Sequence, residues 1–185
     1  MASSTDVVAL VGSLRRDSFT RRLVRGLTTV TPAGLHLEIV PIGELALYNQ
    51  DLEEKPPQAW VDFRDRVRRA GAVVFATPEY NRSVPGVLKN ALDVGSRPHG
   101  KSVWNGKPAA VISASPGAIG AFGANHHLRQ SLVYLNMPTL QQPEAYVGGV
   151  DKAVDENGQF TKDETRKFCA NFMSEFERWI NLLQQ

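Results

Sequence analysis

Cysteine is almost missing from this chain. Cys169 is the only one in 185 residues, so neither an intrachain disulfide nor a cysteine-built zinc site can form. No apolar run approaches the roughly 18 residues that a membrane-spanning helix needs. The first residues, Met1-Ala-Ser-Ser-Thr-Asp6, carry neither the basic flank nor the long apolar stretch of a secretory signal. No charge of one sign prevails either. Lys and Arg number 21 against 19 for Asp and Glu, which leaves a formal charge of +2 and a pI of about 8.8. That falls well short of the cationic excess of a dedicated nucleic-acid binder. Internal repeats, low-complexity tracts and the metal-binding H-E-x-x-H pattern are absent too. What is present is ordinary for a globular protein: 42% hydrophobic and 22% charged residues, in a length that suits one domain, 1–185, with a sizeable core. The chain reads as a soluble, cytoplasmic protein with no membrane and no nucleic-acid partner.

Patterning then gives the organisation. Val7-Val-Ala-Leu-Val11 and Ala72-Val-Val-Phe-Ala76 are short continuous apolar runs rich in β-branched residues, as expected of strands buried on both faces. Leu35 to Val40 alternates, as a strand with one face less buried does, and Ala109 to Ser113 reads as a fourth strand. A fifth falls somewhere within Thr139 to Val147. Between them, Ser18 to Thr31 reads as a helix, and Trp60, Phe63, Val67 and Ala70 recur at helical spacing. Val87, Leu88, Ala91 and Leu92 make a stripe ending before Gly95, and a further helix runs from about Asn125 to Asn136. Thr161-Lys-Asp-Glu164 has the capping-box pattern, ahead of Phe168, Phe172, Phe176 and Ile180 on one helical face. Alternating strands and helices predict an α/β fold: a three-layer, doubly wound, five-stranded parallel sheet, with 2-1-3-4-5 as the strand order. Ligands of such sheets bind beyond the carboxyl ends of the strands, which singles out the loops after strands one, three and four.

The first loop, Gly12-Ser-Leu-Arg-Arg-Asp-Ser-Phe-Thr20, offers hydroxyls at Ser13, Ser18 and Thr20 and guanidinium groups at Arg15 and Arg16. A helix start carries partial positive charge, so cations there are unfavourable by a few tenths of a kcal/mol or more each. Arg15, Arg16, Arg21, Arg22 and Arg25 nevertheless crowd it, and a bound phosphate would offset their repulsion. The plainer reading makes Ser18 an ordinary helix cap and the arginines solvated surface. This loop has neither G-x-G-x-x-G nor the G-x-x-x-x-G-K-[ST] pattern, so a phosphomonoester suits it better than a dinucleotide or a nucleoside triphosphate. The second loop, Thr77 to Gly86, sets Pro78, Glu79, Tyr80, Asn81 and Arg82 where backbone groups and an aromatic ring meet a flat heteroaromatic ligand. Equally, Glu79 caps the next helix and Tyr80 packs. The third loop, Ser113-Ala-Ser-Pro-Gly117 with Gly120 and Gly123, lets backbone approach a ring closely, or is simply a glycine-rich turn.

Together these loops resemble the NADPH-dependent FMN reductase family, and most closely its quinone and chromate reductase branch. Gly12-Ser13-Leu14-Arg15 through Ser18-Phe19-Thr20 is similar to the family's phosphate loop, and Pro78-Glu-Tyr-Asn-x-Ser83 with Lys89-Asn90-Ala91-Leu92-Asp93 to its flavin-ring loop and following helix. Ser115, Gly117 and the stretch to Leu128-Arg129-Gln130 fit the third segment, and Pro143-Glu144-Ala145-Tyr146 the region of strand five. The likeness spans roughly residues 6–150. It implies a flavodoxin-like fold and FMN bound by Ser13, Arg15, Ser18, Phe19 and Thr20 at the phosphate and by Pro78, Glu79, Tyr80, Asn81, Arg82, Ser115 and Gly117 at the ring. It also implies hydride transfer from NADPH or NADH to flavin N5, then reduction of quinones, flavins, azo or nitro compounds or chromate, in a homodimer or homotetramer. No catalytic side chain and no metal are required, because the chemistry is the flavin's. Two positions depart from the family pattern. Thr20 stands where Asn is common, and His126 where many members have a Tyr that joins a carboxylate network between subunits, which leaves Glu144 without its usual partner. A flavodoxin-type electron carrier without NAD(P)H turnover is the alternative. Cys169, among apolar neighbours, is expected to be inert.

Overall fold

The computed structural model describes residues 4–184. Five strands, β1 (Thr5–Val11), β2 (Leu35–Val40), β3 (Ala72–Thr77), β4 (Ala109–Ser115) and β5 (Ala145–Gly148), alternate with α1 (Phe19–Val30), α2 (Gln58–Arg69), α3 (Gly86–Gly95), α4 (Phe122–Tyr134) and α5 (Asp163–Leu183). The sheet is parallel with order β2-β1-β3-β4-β5, the topology expected from the alternation. Registers such as Val7 opposite both Leu37 and Ala72, and Phe75 opposite Val111, bring the ends of β1, β3 and β4 side by side.

The sheet separates two apolar layers, which is why the central strands are apolar on both faces. On one side Val7, Ala9 and Val74 pack against Leu23 and Leu27 of α1 and Cys169, Phe172, Phe176 and Ile180 of α5. On the other, Val8, Leu10 and Phe75 meet Trp60 and Phe63 of α2, Leu88 and Leu92 of α3, and Leu128 and Leu132 of α4. The two fully buried tryptophans satisfy their ring N–H groups on backbone carbonyls: Trp60 Nε1 donates to Ala46 (3.0 Å) and Trp104 Nε1 to Leu92 (2.8 Å). Burying an indole without such a partner costs a few kcal/mol.

Three details depart from the sequence-based expectation. The capping box ahead of α5 does not form. Lys162 occupies the cap without a side-chain hydrogen bond, while Thr161 Oγ1 donates to the Lys152 carbonyl (2.7 Å). Thr161 is thereby tied to a preceding hairpin, bridged at Val154 and Phe160, which packs on the back of α1. There a Cβ on Gly26 would lie 2.8 Å from both the Gly158 carbonyl and the Phe160 ring, so only glycine admits the hairpin. Helix α4 begins three residues early, after two successive left-handed residues, Gly120 (φ 61°) and Ala121 (φ 62°). It stops earlier too, at Tyr134, followed by left-handed Asn136 (φ 54°). Strand β5 is confined to the end of its expected window and runs one residue past it.

Candidate functional site

A cavity of about 180 Å³ opens at the carboxyl ends of β1, β3 and β4. Its walls are Ser13, Arg15, Ser18, Phe19 and Thr20 from the first loop, Pro78 and Glu79 from the second, and Ala114, Ser115 and Pro116 from the third. Three loops far apart in sequence thus converge because their strands are neighbours. Ser13, Ser18 and Thr20 are almost wholly buried, at 4%, 2% and 2% exposure. Ser18 is the helix cap of the plainer reading, its Oγ accepting from the Arg21 backbone N–H (3.2 Å), and it also lines the cavity. Among the described residues the Ser13 and Thr20 hydroxyls have no protein partner, so they remain available to a ligand.

The electrostatics select an anion. The first turn of α1 holds no acidic residue, so its free N–H groups and dipole face the cavity uncompensated. Arg15 and Arg22 flank the Phe19 ring, their guanidinium carbons 5.7 and 5.2 Å from its centroid. Among the described residues none of Arg15, Arg16, Arg21, Arg22 and Arg25 has a carboxylate partner. Arg21 does not join the cavity; it lines a separate cleft beyond β2. A volume below the roughly 300 Å³ of pockets that enclose whole ligands fits a phosphate and the start of its chain. The hydroxyls, helix start and guanidinium here offer hydrogen bonds and positive charge to such a group, and the cavity opens onto an outer rim.

That rim carries the residues outside the cavity: Tyr80, Asn81, Arg82 and Gly117. Tyr80 and Ser83 exchange backbone hydrogen bonds (3.0 Å each) around a tight turn in which Asn81 (φ 51°) and Arg82 (φ 64°) are both left-handed. Asn tolerates this region; Arg does so at a cost of about 1 kcal/mol. Glu79 holds the turn in place. Its Oε1 accepts from Arg82 Nη1 (2.9 Å) and its Oε2 from the Ala124 backbone N–H (3.0 Å). The carboxylate therefore caps a helix, but α4 rather than the next one, α3, whose cap position is Pro85 and has no side-chain hydrogen bond. Gly123 permits the approach, since a Cβ there would meet Glu79 Oε2 at 2.8 Å. Tyr80 does not pack away; the residue is 47% exposed.

The third loop is tied from below. Ser113 Oγ donates to the Gly120 carbonyl (2.7 Å), and Asn125 Nδ2 donates to Ser113 Oγ (3.2 Å) and to the Ala145 carbonyl (3.3 Å). At its tip Ser115 Oγ donates to the Gly117 carbonyl (2.9 Å). Ala114 and Pro116 complete the cavity without having been singled out in the sequence; their only signal was position at the carboxyl end of an apolar run. A misleading signal lies elsewhere. Gly95-Ser-Arg-Pro-His-Gly-Lys-Ser102 spells the G-x-x-x-x-G-K-[ST] pattern, yet it leaves the end of α3 and enters no helix, so it lacks the strand–loop–helix setting that gives that pattern its meaning.

Glu144 is not left without neighbours. His126 Nε2 lies 2.8 Å from the Tyr146 hydroxyl and 3.9 Å from a Glu144 carboxylate oxygen, with the Phe122 ring tilted against the imidazole at 4.2 Å between centroids. Burial first, and then the Glu144 carboxylate, push the Tyr146 hydroxyl up to about 12.

Comparison with known proteins bears on the family and the fold. The model of the family described as NADPH-dependent FMN reductase matches residues 5–152. A quinone reductase of Pseudomonas putida is 55% identical over 183 residues, covering 98% of each chain. A 2-hydroxy-1,4-benzoquinone reductase of Burkholderia sp. is 43% identical over 174 residues, 94% of this chain and 95% of the relative. Among solved structures, the flavoenzyme NAD(P)H:(acceptor) oxidoreductase FerB of Paracoccus denitrificans superposes with a TM-score of 0.91 at 40% identity, over 96% of this chain and 97% of that one. A flavodoxin of Pseudomonas aeruginosa, at 17% identity and a TM-score of 0.57, shares the fold alone.

Proposed function

This chain belongs to the NADPH-dependent FMN reductase family, and we propose that it is an FMN-dependent NAD(P)H oxidoreductase whose acceptors are quinones. The observation that carries the reading is the convergence of three buried hydroxyls, an uncompensated helix start and Arg15 on one cavity at the carboxyl ends of β1, β3 and β4. When bound, FMN would supply the redox chemistry, the transfer of two electrons from NADPH or NADH to the acceptor. The chain's own residues bind and orient. Ser13, Arg15, Ser18, Phe19 and Thr20 hold the phosphate, and Pro78, Glu79, Tyr80, Asn81, Arg82, Ser115 and Gly117 border the ring. No side chain is assigned to proton abstraction. The names of the relatives favour quinones as acceptors, while the open rim around Tyr80 suits other flat oxidants as well: free flavins, azo or nitro compounds, or chromate.

We also assign self-association, as a dimer or tetramer, to the outer face of α3 and α4, where Tyr134 and Val133 are 90% and 77% exposed. The cytoplasm, where reduced nicotinamides are supplied, is the compartment this activity calls for.

An absorbance spectrum of the purified protein, followed by anaerobic NADPH, tests the reading. Bands near ~370 and ~450 nm that bleach on addition, and recover with a benzoquinone, are the expected outcome. Bands that persist in NADPH and NADH would make the protein an electron carrier of the flavodoxin kind. A colourless protein that FMN fails to reconstitute would sink the flavin reading altogether.

A further inference from the structure

A second cleft, of about 690 Å³, opens beyond the carboxyl end of β2, on the far side of the first loop from the phosphate cavity. Its floor is apolar: Ile39, Val40, Ile42, Leu45 and Phe63 face it. Two arginines enter from opposite walls. Arg66, from α2, is occupied by an ion pair with Glu38. Arg21, from α1, is not. Its Nε is buried and has no hydrogen-bond partner, and no carboxylate pairs with its guanidinium among the described residues. A buried donor left unmade costs on the order of 1–3 kcal/mol, more when charged, so this is an unusual feature to find on the wall of an open cleft.

We propose that this cleft is a second binding site, distinct from the flavin site, for a planar aromatic molecule bearing one carboxylate. The apolar floor takes the rings, and the carboxylate lies against the Arg21 guanidinium, which has no acidic partner among the described residues. Glu38, Glu44 and Asp62 also line the cleft. They disfavour a multiply charged anion such as a phosphate dianion, which is why a monoanion is the fitting class. Volume agrees, since a fused two-ring acid is of the size that pockets of 300–1,000 Å³ enclose. The site touches the flavin loop at one residue only. Leu14, between Ser13 and Arg15, lines the cleft, and its Cδ2 would lie 3.0 Å from a Cβ placed on Gly43 across it.

Calorimetric titration of the flavin-loaded protein with 2-naphthoate, and separately with uncharged 2-naphthamide, tests the assignment. The expected result is one naphthoate per chain, bound at least tenfold more tightly than the amide. Arg21→Met should remove that preference while leaving naphthamide binding and the flavin content unchanged. Ala59→Phe, which fills the cleft from α2, should weaken both ligands at least tenfold and gives an independent check should the first variant fold poorly. Absence of naphthoate binding, equal affinity for acid and amide, or binding that survives both variants and is displaced by NADPH, hence located on the flavin, would overturn it. The readout is heat, so it stands whether or not the redox assignment does.

Discussion

Arg15 is the residue on which the phosphate assignment turns. It is the one guanidinium that lines the cavity, whereas Arg22 reaches the site only across the Phe19 ring. Removing a charged hydrogen bond to a phosphate costs about 1.5–3 kcal/mol, so Arg15→Ala should raise the FMN dissociation constant roughly 10- to 150-fold in fluorescence titration. Unchanged affinity would move the phosphate elsewhere. Cys169 makes the opposite kind of statement. It is fully buried among Phe172, Met173 and Phe176, and burial pushes its thiol up to about 12. The unfolded chain releases that proton near the ordinary thiol value while the native one still holds it, so native stability should fall as pH rises from about 9 towards 12. Denaturant titrations across that range test the point. Cys169→Ala should flatten the decline, and an equal slope in both proteins would assign it to other groups.

At the scale of elements, the ring loop and α4 behave as one piece because Glu79 joins them. Glu79→Ala removes the side-chain partner of the Ala124 N–H and the anchor of Arg82 together. We expect a loss of about 0.5–2 kcal/mol, the range of a helix cap, and earlier hydrogen exchange at the amides of Phe122 to Asn125. Exchange unchanged there would show that α4 is held by other contacts. This clasp also marks the limit of what the sequence made legible. Runs such as Ala72 to Ala76 announced their strands, and so the sheet order, because burial on both faces leaves no room for polar residues. The loop that lines the cavity was also legible, from arginines crowding a helix start, although of the five only Arg15 reaches the cavity. What escaped was every choice decided by a partner distant in sequence. Glu79 reads as a cap for α3 until β3 and β4 are seen side by side, and Thr161 reads as a cap for α5 until Lys152 is found beside it. Helix α4 starts early for the same reason, since its first turn is held by a carboxylate 45 residues away.

At the scale of the whole molecule, Tyr134 and Val133 stand exposed at the end of α4, where Tyr134 borders the groove that α3 and α4 form between Ser83 and Leu135. If this face is covered by a second copy, Tyr134→Lys should lower the sedimentation coefficient to that of a monomer at micromolar concentration while leaving the flavin spectrum intact. A variant that sediments like the parent would place the contact elsewhere. Because Tyr80, on the rim of the flavin site, immediately precedes the Asn81-Arg82 turn that leads to Ser83 at the head of this groove, monomerisation should also alter quinone KM more than NADPH KM.

The hairpin bridged at Val154 and Phe160 touches α1 at Gly26, with Gly158 set against the Arg22 carbonyl. Helix α5 covers the remaining apolar face of α1 through Phe172 and Phe176. Helix α1 is thus backed by segments that lie far after it in sequence. A fragment that stops before the hairpin keeps β1, β2 and β3, but its first loop would stand on a helix with one side bare to water. The cavity therefore depends on segments that contribute nothing to its walls.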